Sequence, residues 1–126
     1  MEASSKMSSE ENLEVRYTSE VIYVKFSDGS KAYLTYKIDN GKMILESTYT
    51  PPQHRGKGVA KKLVDKAIEI AREKGLEIIP ICSYSVYYFM KYKDVRGILA
   101  EPYKSYSEDD FKRYYEERLK AEKEKE

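Results

Sequence analysis

The sequence has no tryptophan, one cysteine and one histidine among 126 residues. A single thiol, Cys82, excludes an internal disulfide and is compatible with a reducing, cytoplasmic setting. One imidazole, His54, and one thiol do not supply the roughly four soft ligands of a zinc site, so no metal is expected. Long apolar runs are missing too; none approaches the roughly 20 residues of a spanning helix. The polar segment Met1–Asn12 has no apolar core of a secretory signal, so residues 1–13 read as a flexible leader. An excess of one charge sign is also lacking. The formal net charge is +1, which leaves no clear nucleic-acid surface beyond a local patch.

What remains is a chain sized for one domain with a modest core. Its hydrophobic fraction of 40% excludes a disordered or membrane-like polymer. Its charged fraction of 36%, dominated by Lys and Glu, is a thermophile-like composition, although a solvated helical tail would raise it as well.

The first half reads as strands. Val21–Phe26 puts Ile22, Val24 and Phe26 on one face, and Lys31–Ile38 alternates Ala32, Leu34, Tyr36 and Ile38. Met43–Thr50 follows. Asp28-Gly29 and Asn40-Gly41 are two-residue hairpin turns by composition, because these residues accept positive φ. Leu13–Thr18 adds a possible edge strand. Pro51-Pro52 ends the third long strand for want of N–H donors.

From Val59 the apolar positions fall at helical spacing: Leu63/Val64, Ala67/Ile68 and Ile70/Ala71, with Gly75 placed to end the helix. Leu76–Ile81 reads as a buried strand. A strand–helix–strand crossover makes it parallel to Met43–Thr50. Ser83–Tyr92 reads as a short aromatic helix. Ser107-Glu-Asp-Asp110 reads as a helix start, followed by the stripe Phe111, Tyr114, Tyr115 and Leu119, with fraying expected beyond Leu119. The fold class is α/β: a mixed sheet of about five strands, antiparallel hairpins then a parallel crossover, with flanking helices.

The stretch Thr48-Tyr-Thr-Pro-Pro-Gln-His-Arg-Gly-Lys-Gly-Val-Ala60 joins a strand to a helix. A helix start offers unpaired N–H groups and a positive dipole end. Gly56 and Gly58 bare the backbone, and Arg55, Lys57, Lys61 and Lys62 add charge, so the loop is suited to a phosphate or pyrophosphate. It is not a Walker A loop, because Gly58 follows Lys57. It is not a dinucleotide fingerprint, because Lys61 stands where a small residue is required.

Gln53-His54-Arg55-Gly56-Lys57-Gly58 resembles the [Q/R]-x-x-G-x-[G/A] acyl-CoA loop of the GNAT superfamily of N-acetyltransferases. Ile78-Ile-Pro-Ile-Cys-Ser-Tyr84 resembles the I-P-x-C-S segment of its small single-domain, YidJ-type branch. That branch lacks the helices usually found between the first strands, as does this sequence, where Asp28-Gly29 makes a direct hairpin. The resemblance covers residues 14–104, leaving 105–126 as a charged C-terminal helix outside it. It implies acetyl-CoA as co-substrate and an amine acceptor, either a protein lysine, an N-terminus or a small amine. It implies that acyl-CoA is held by Thr48, Tyr49, Thr50, Gln53, His54, Arg55, Gly56, Lys57, Gly58, Val59 and Ala60, with the pantetheine arm along Thr48–Thr50.

Two side chains are candidates for catalysis. Glu46 lies on the strand before the loop, where GNAT enzymes often carry a Glu base; otherwise it is a solvent-face glutamate. Cys82 ends the parallel strand, where crossover sheets place ligands. It is a nucleophile or thiol assistant if the following helix lowers its pKa, and a small buried residue if not. The general acid is unassigned: Tyr84, Tyr87 and Tyr88 are near, while the usual alignment favours the position of Met90. Two rival readings need no catalysis: a non-catalytic acyl-CoA binding module, and a protein-interaction domain using the aromatic surface of Ser83–Tyr115.

Overall fold

The computed structural model describes residues 13–124; the expected leader Met1–Asn12 lies outside the described residues. Five strands, β1 (Arg16–Tyr17), β2 (Val21–Lys25), β3 (Lys31–Asp39), β4 (Lys42–Tyr49) and β5 (Glu77–Pro80), form one sheet in chain order. The first four pair antiparallel and β5 runs parallel to β4, as a crossover requires. Helices α1 (Val59–Lys74), α2 (Ser83–Lys91) and α3 (Glu108–Glu124) complete the α/β fold. Among the described residues no helix is long and apolar enough to cross a membrane.

The second hairpin is the two-residue turn its composition dictates: Asp39 pairs with Lys42, and Asn40 and Gly41 take φ of 54° and 77°. The first hairpin is looser. Pairing stops at Lys25–Lys31, and the loop Phe26–Ser30 is closed by Ser30 O accepting from the Phe26 N–H at 2.9 Å. The Asp28 carboxylate accepts from the Ser30 N–H at 2.9 Å and from its hydroxyl at 2.6 Å. That local turn wins over a tight primed turn.

The core lies on one face of the sheet. Ile22, Val24, Ala32, Leu34, Met43 and Leu45 meet Val59, Leu63, Val64, Ala67, Ile68, Ile70 and Ala71 of α1, all buried. Each of the Val, Leu, Ile and Met side chains contributes about 1.5–3 kcal/mol, and the alanines less. Ile38, expected in this row, is 44% exposed near the hairpin end, although Met43 opposite it is buried. Gly75 ends α1 at φ 67°, and the Leu76 N–H returns to Ala71 O at 2.8 Å.

Helix α3 begins with a reciprocal cap. Ser107 Oγ accepts from the Asp110 N–H at 3.1 Å, and Asp110 Oδ2 accepts from the Ser107 N–H at 3.0 Å. Phe111 is fully buried, whereas Leu119, expected in the same stripe, is 43% exposed. Fraying beyond Leu119 is not what is found: the helix continues to Glu124. Tyr114 Oη donates to Pro80 O at 2.7 Å, Arg118 Nε donates to Ile81 O at 2.6 Å, and Glu122 binds Ser83. These polar anchors replace the apolar contacts that the sequence lacks there. With the Ala100 N–H donating to Ile78 O at 2.9 Å, they also cover the outer edge of β5.

Candidate acyl-CoA site

The site starts from an irregularity in β4. Thr35 pairs with Ser47 but Tyr36 pairs with Leu45, so Glu46 is an extra, unpaired residue, a β-bulge. The bulge resets the alternation of faces. Leu45 and Thr48 share the face covered by α1, because they pair with Tyr36 and Leu34. The Glu46 carboxylate lies 3.5 Å from Lys37 Nζ and is 40% exposed. Lys37 pairs with Ile44, on the opposite face. The two candidate catalytic residues therefore lie on different sides of the sheet: Cys82 meets Thr48 on the helix side, and Glu46 meets Lys37 on the other.

Beyond the bulge β4 and β5 part. Leu45 O accepts from both the Ile81 and Cys82 N–H groups, each at 3.0 Å, and the chain then turns into α2. Ser47–Tyr49 continues against β3 alone, leaving its other edge facing the gap. Tyr49 pairs with Tyr33 and packs its ring against that of Tyr33, tilted by 33° with centroids 5.5 Å apart.

The chain then makes a short 3-10 turn, Pro52–His54, and enters α1 through two left-handed glycines, Gly56 at φ 81° and Gly58 at φ 78°. A Cβ built on either glycine would face open space, so the backbone is bare to an approaching ligand. Gly58 caps α1 without any side-chain hydrogen bond, and no acid stands in the first turn. The helix start is thus an uncompensated anion site. A cleft of about 250 Å³ opens there, lined by Thr50, His54, Arg55, Gly56, Gly58, Val59, Ala60 and Lys61, with Tyr84 also on its wall. These residues fit a pyrophosphate on loop backbone with an extended arm along Thr48–Thr50.

The basic and polar side chains of the loop are committed elsewhere to differing degrees. Arg55 Nε donates to Thr50 O at 2.9 Å, holding the loop closed. Lys61 pairs with Asp65 at 2.9 Å. Gln53 Nε2 and His54 Nε2 both reach Asp28 Oδ2, at 3.3 and 3.0 Å, and the His54 ring stacks on Phe26 with centroids 3.6 Å apart.

Cys82 is 1% exposed. Burial pushes its thiol pKa up, outweighing hydrogen bonds from Ser85 and Thr48, and the Glu122 carboxylate pushes in the same direction as burial. The α2 start does not lower it, because Glu122 already occupies that helix end. Tyr84 has its pKa raised to about 12, first by burial, so its hydroxyl is a neutral donor in the cleft. Among the described residues no group of three or more His, Cys, Asp or Glu could hold a metal ion.

Asp28, Tyr84 and Glu122 are absent from the sequence-derived site. Asp28 carried only a turn signal, Tyr84 was one of 13 tyrosines, and Glu122 lies in a charge run with no motif. Only the tertiary pairing brings them to the loop and to α2.

A strand, a bare glycine loop and an uncapped helix beside a splayed parallel pair make up the candidate site of this α/β protein. The family model described as GCN5-related N-acetyl-transferase matches residues 21–98, and the chain belongs to this family of acetyltransferases. Its fold is similar to the solution NMR structure of a GCN5-like candidate N-acetyltransferase from Staphylococcus aureus. The two are 28% identical with a TM-score of 0.59, over 71% of this chain and 89% of that one.

Proposed function

We propose that the protein transfers the acetyl group of acetyl-CoA to an amine. The observation that carries this reading is the pair of left-handed glycines at an uncapped helix start, directly after a strand edge left open by the β4–β5 splay. Family membership over residues 21–98 supports it.

When bound, acetyl-CoA supplies an activated thioester. The backbone of Gly56–Ala60 holds the pyrophosphate, with Arg55 and Lys57 adding positive charge. The edge of Thr48–Thr50 pairs with the pantetheine arm, as an added strand would. Backbone N–H groups at the splay stabilise the oxyanion. Tyr84, neutral over the working pH range, donates a hydrogen bond to the departing sulfur. The acceptor must arrive neutral, although a lysine amine has a solution pKa of about 10.4. Glu46, exposed and paired with Lys37 on the far face, is poorly placed to take its proton through the cleft, so water takes it. Cys82, buried with a raised pKa, lies beside the site as a packing residue, and transfer is direct between two bound substrates. A protein lysine, a protein N-terminus and a small amine are the acceptor classes.

A second reading, a non-catalytic acyl-CoA binding module, draws on the same loop and on the placement of Glu46 against Lys37 on the far face of the sheet. Turnover separates the two. Purified protein is incubated with acetyl-CoA and a panel of peptides and polyamines, and acetylation is read by mass spectrometry. Acetylated amine, lost in Gly58→Val, supports the enzyme. Acetyl-CoA binding without product on any amine supports the module. Because Gly58 is left-handed, Gly58→Val also costs about 1–2 kcal/mol in strain, so its fold is checked by circular dichroism.

A further inference from the structure

We propose that Asp28, in the loop between β2 and β3, is a positioning residue that holds the acyl-CoA loop in its ligand-ready shape. The proposal rests on the reading of Gln53–Ala60 as the donor site, and it assigns the side chains of Gln53 and His54 to the protein rather than to the phosphates.

The clamp is built from both sides. Asp28 Oδ1 is fixed by the Ser30 N–H and hydroxyl, at 2.9 and 2.6 Å, so the carboxylate cannot rotate freely. Its other oxygen, Oδ2, meets Gln53 Nε2 at 3.3 Å and His54 Nε2 at 3.0 Å, across 25 and 26 residues of chain. The His54 ring lies on Phe26 at 3.6 Å and an interplanar angle of 9°. Its side chain is only 16% exposed, against 44% for Asp28. One hairpin loop thus grips two successive residues just before the left-handed Gly56.

The placement is hard to explain by charge. A carboxylate close to a phosphate site repels the ligand, and hydrogen bonding from Ser30 foremost keeps Asp28 ionised far below neutral pH. What it gives is geometry. Backbone N–H groups bind pyrophosphate well only when their directions are set beforehand, since ordering them at binding subtracts from affinity. The left-handed glycines cannot set themselves, because glycine is the most permissive residue. Arg55, bonded to Thr50 O at 2.9 Å, closes the loop on itself. The Asp28 contacts are what tie it to the sheet.

Geometry and charge give opposite expectations for two substitutions. Asp28→Ala removes both tethers, while Asp28→Asn removes the charge, keeps Oδ1 as acceptor for Ser30 and turns an NH2 toward Gln53 and His54, which an amide flip of Gln53 and a tautomer change of His54 can accept. CoA affinity is measured by titration calorimetry, and amide hydrogen exchange of residues 53–58 is followed without ligand. Asp28→Ala should raise the Kd about tenfold, the loss of two modest hydrogen bonds, and speed exchange in 53–58. Asp28→Asn should stay within about threefold of wild type in both readouts. Phe26→Leu, which removes the stacking, should speed exchange as Asp28→Ala does. Unchanged CoA affinity in Asp28→Ala, with wild type binding CoA, overturns the clamp and leaves the donor site standing. Tighter CoA binding in both the Ala and Asn variants overturns it as well, by making charge repulsion the dominant effect of Asp28. A wild type that binds no CoA overturns the donor-site reading and the clamp's role with it.

Discussion

The Glu122 carboxylate accepts hydrogen bonds from the backbone N–H and the hydroxyl of Ser83, at 2.7 and 2.6 Å, across 39 residues of chain. A side chain from the last turns of α3 thus caps the first turn of α2 and covers the residue next to Cys82. Helix α3 lies outside the matched residues 21–98.

The cap has a measurable weight. Glu122→Ala leaves the first N–H groups of α2 without that acceptor, and should lower unfolding free energy by about 1 kcal/mol, within the range known for lost caps. It also removes a negative charge from the neighbourhood of Cys82 and exposes the positive helix end, so thiol alkylation at pH 8 should speed up. Denaturant unfolding and timed alkylation read the two effects. Unchanged stability and unchanged alkylation would show that the contact is idle.

Cys82 gives a pH prediction with a definite sign. Its folded pKa is raised above an unfolded value of about 8.5, chiefly by burial. The stability this contributes is fully present below the unfolded pKa and is lost as pH rises through the folded one. Wild type should therefore lose stability above about pH 9 relative to Cys82→Ala. At neutral pH, acetyl-CoA alone should leave no acetyl adduct on the thiol, and Cys82→Ala should retain turnover. A thiol-reversible adduct in intact-mass spectra, absent from Cys82→Ala together with all turnover, would make Cys82 the nucleophile.

Arg55 and Lys57 should both respond to salt. Lys57→Ala should weaken CoA binding by about fivefold at low ionic strength, and less at high salt, as screened attraction does. Arg55→Ala also loses the bond to Thr50 O, so part of its deficit should persist at high salt. An Arg55→Ala deficit that vanishes entirely at high salt would mean that the Thr50 contact does not shape the loop.

Most of the scaffold was legible because its signals are local. Asn40-Gly41 needs positive φ, α1 has one apolar face, and Gly75 ends it; each is read within a few residues. The Glu46 bulge was not legible, because a bulge is a property of two strands' register, and nothing in Leu45-Glu46-Ser47 marks the skipped pair. That single insertion decides which face Glu46 takes. The Asp28 loop was mistaken for a two-residue turn because Asp-Gly scores well there, while the Ser30 contacts that open it belong to side chains. The glycine loop was found by motif, but its tether to Asp28 joins residues far apart in sequence. Fraying of α3 was expected from a thinning apolar stripe. Periodicity does not register polar anchors such as Arg118 on Ile81 O.

The most direct measurement is an amide-resolved NMR titration of the intact protein with acetyl-CoA. The expected result is saturable shifts concentrated in Gly56–Lys61 and Ser47–Thr50, with smaller ones at Tyr84, and their loss in Gly58→Val. Shifts that leave these segments untouched, or map instead to the exposed sheet face around Tyr23 and Tyr33, would contradict acyl-CoA binding at this loop.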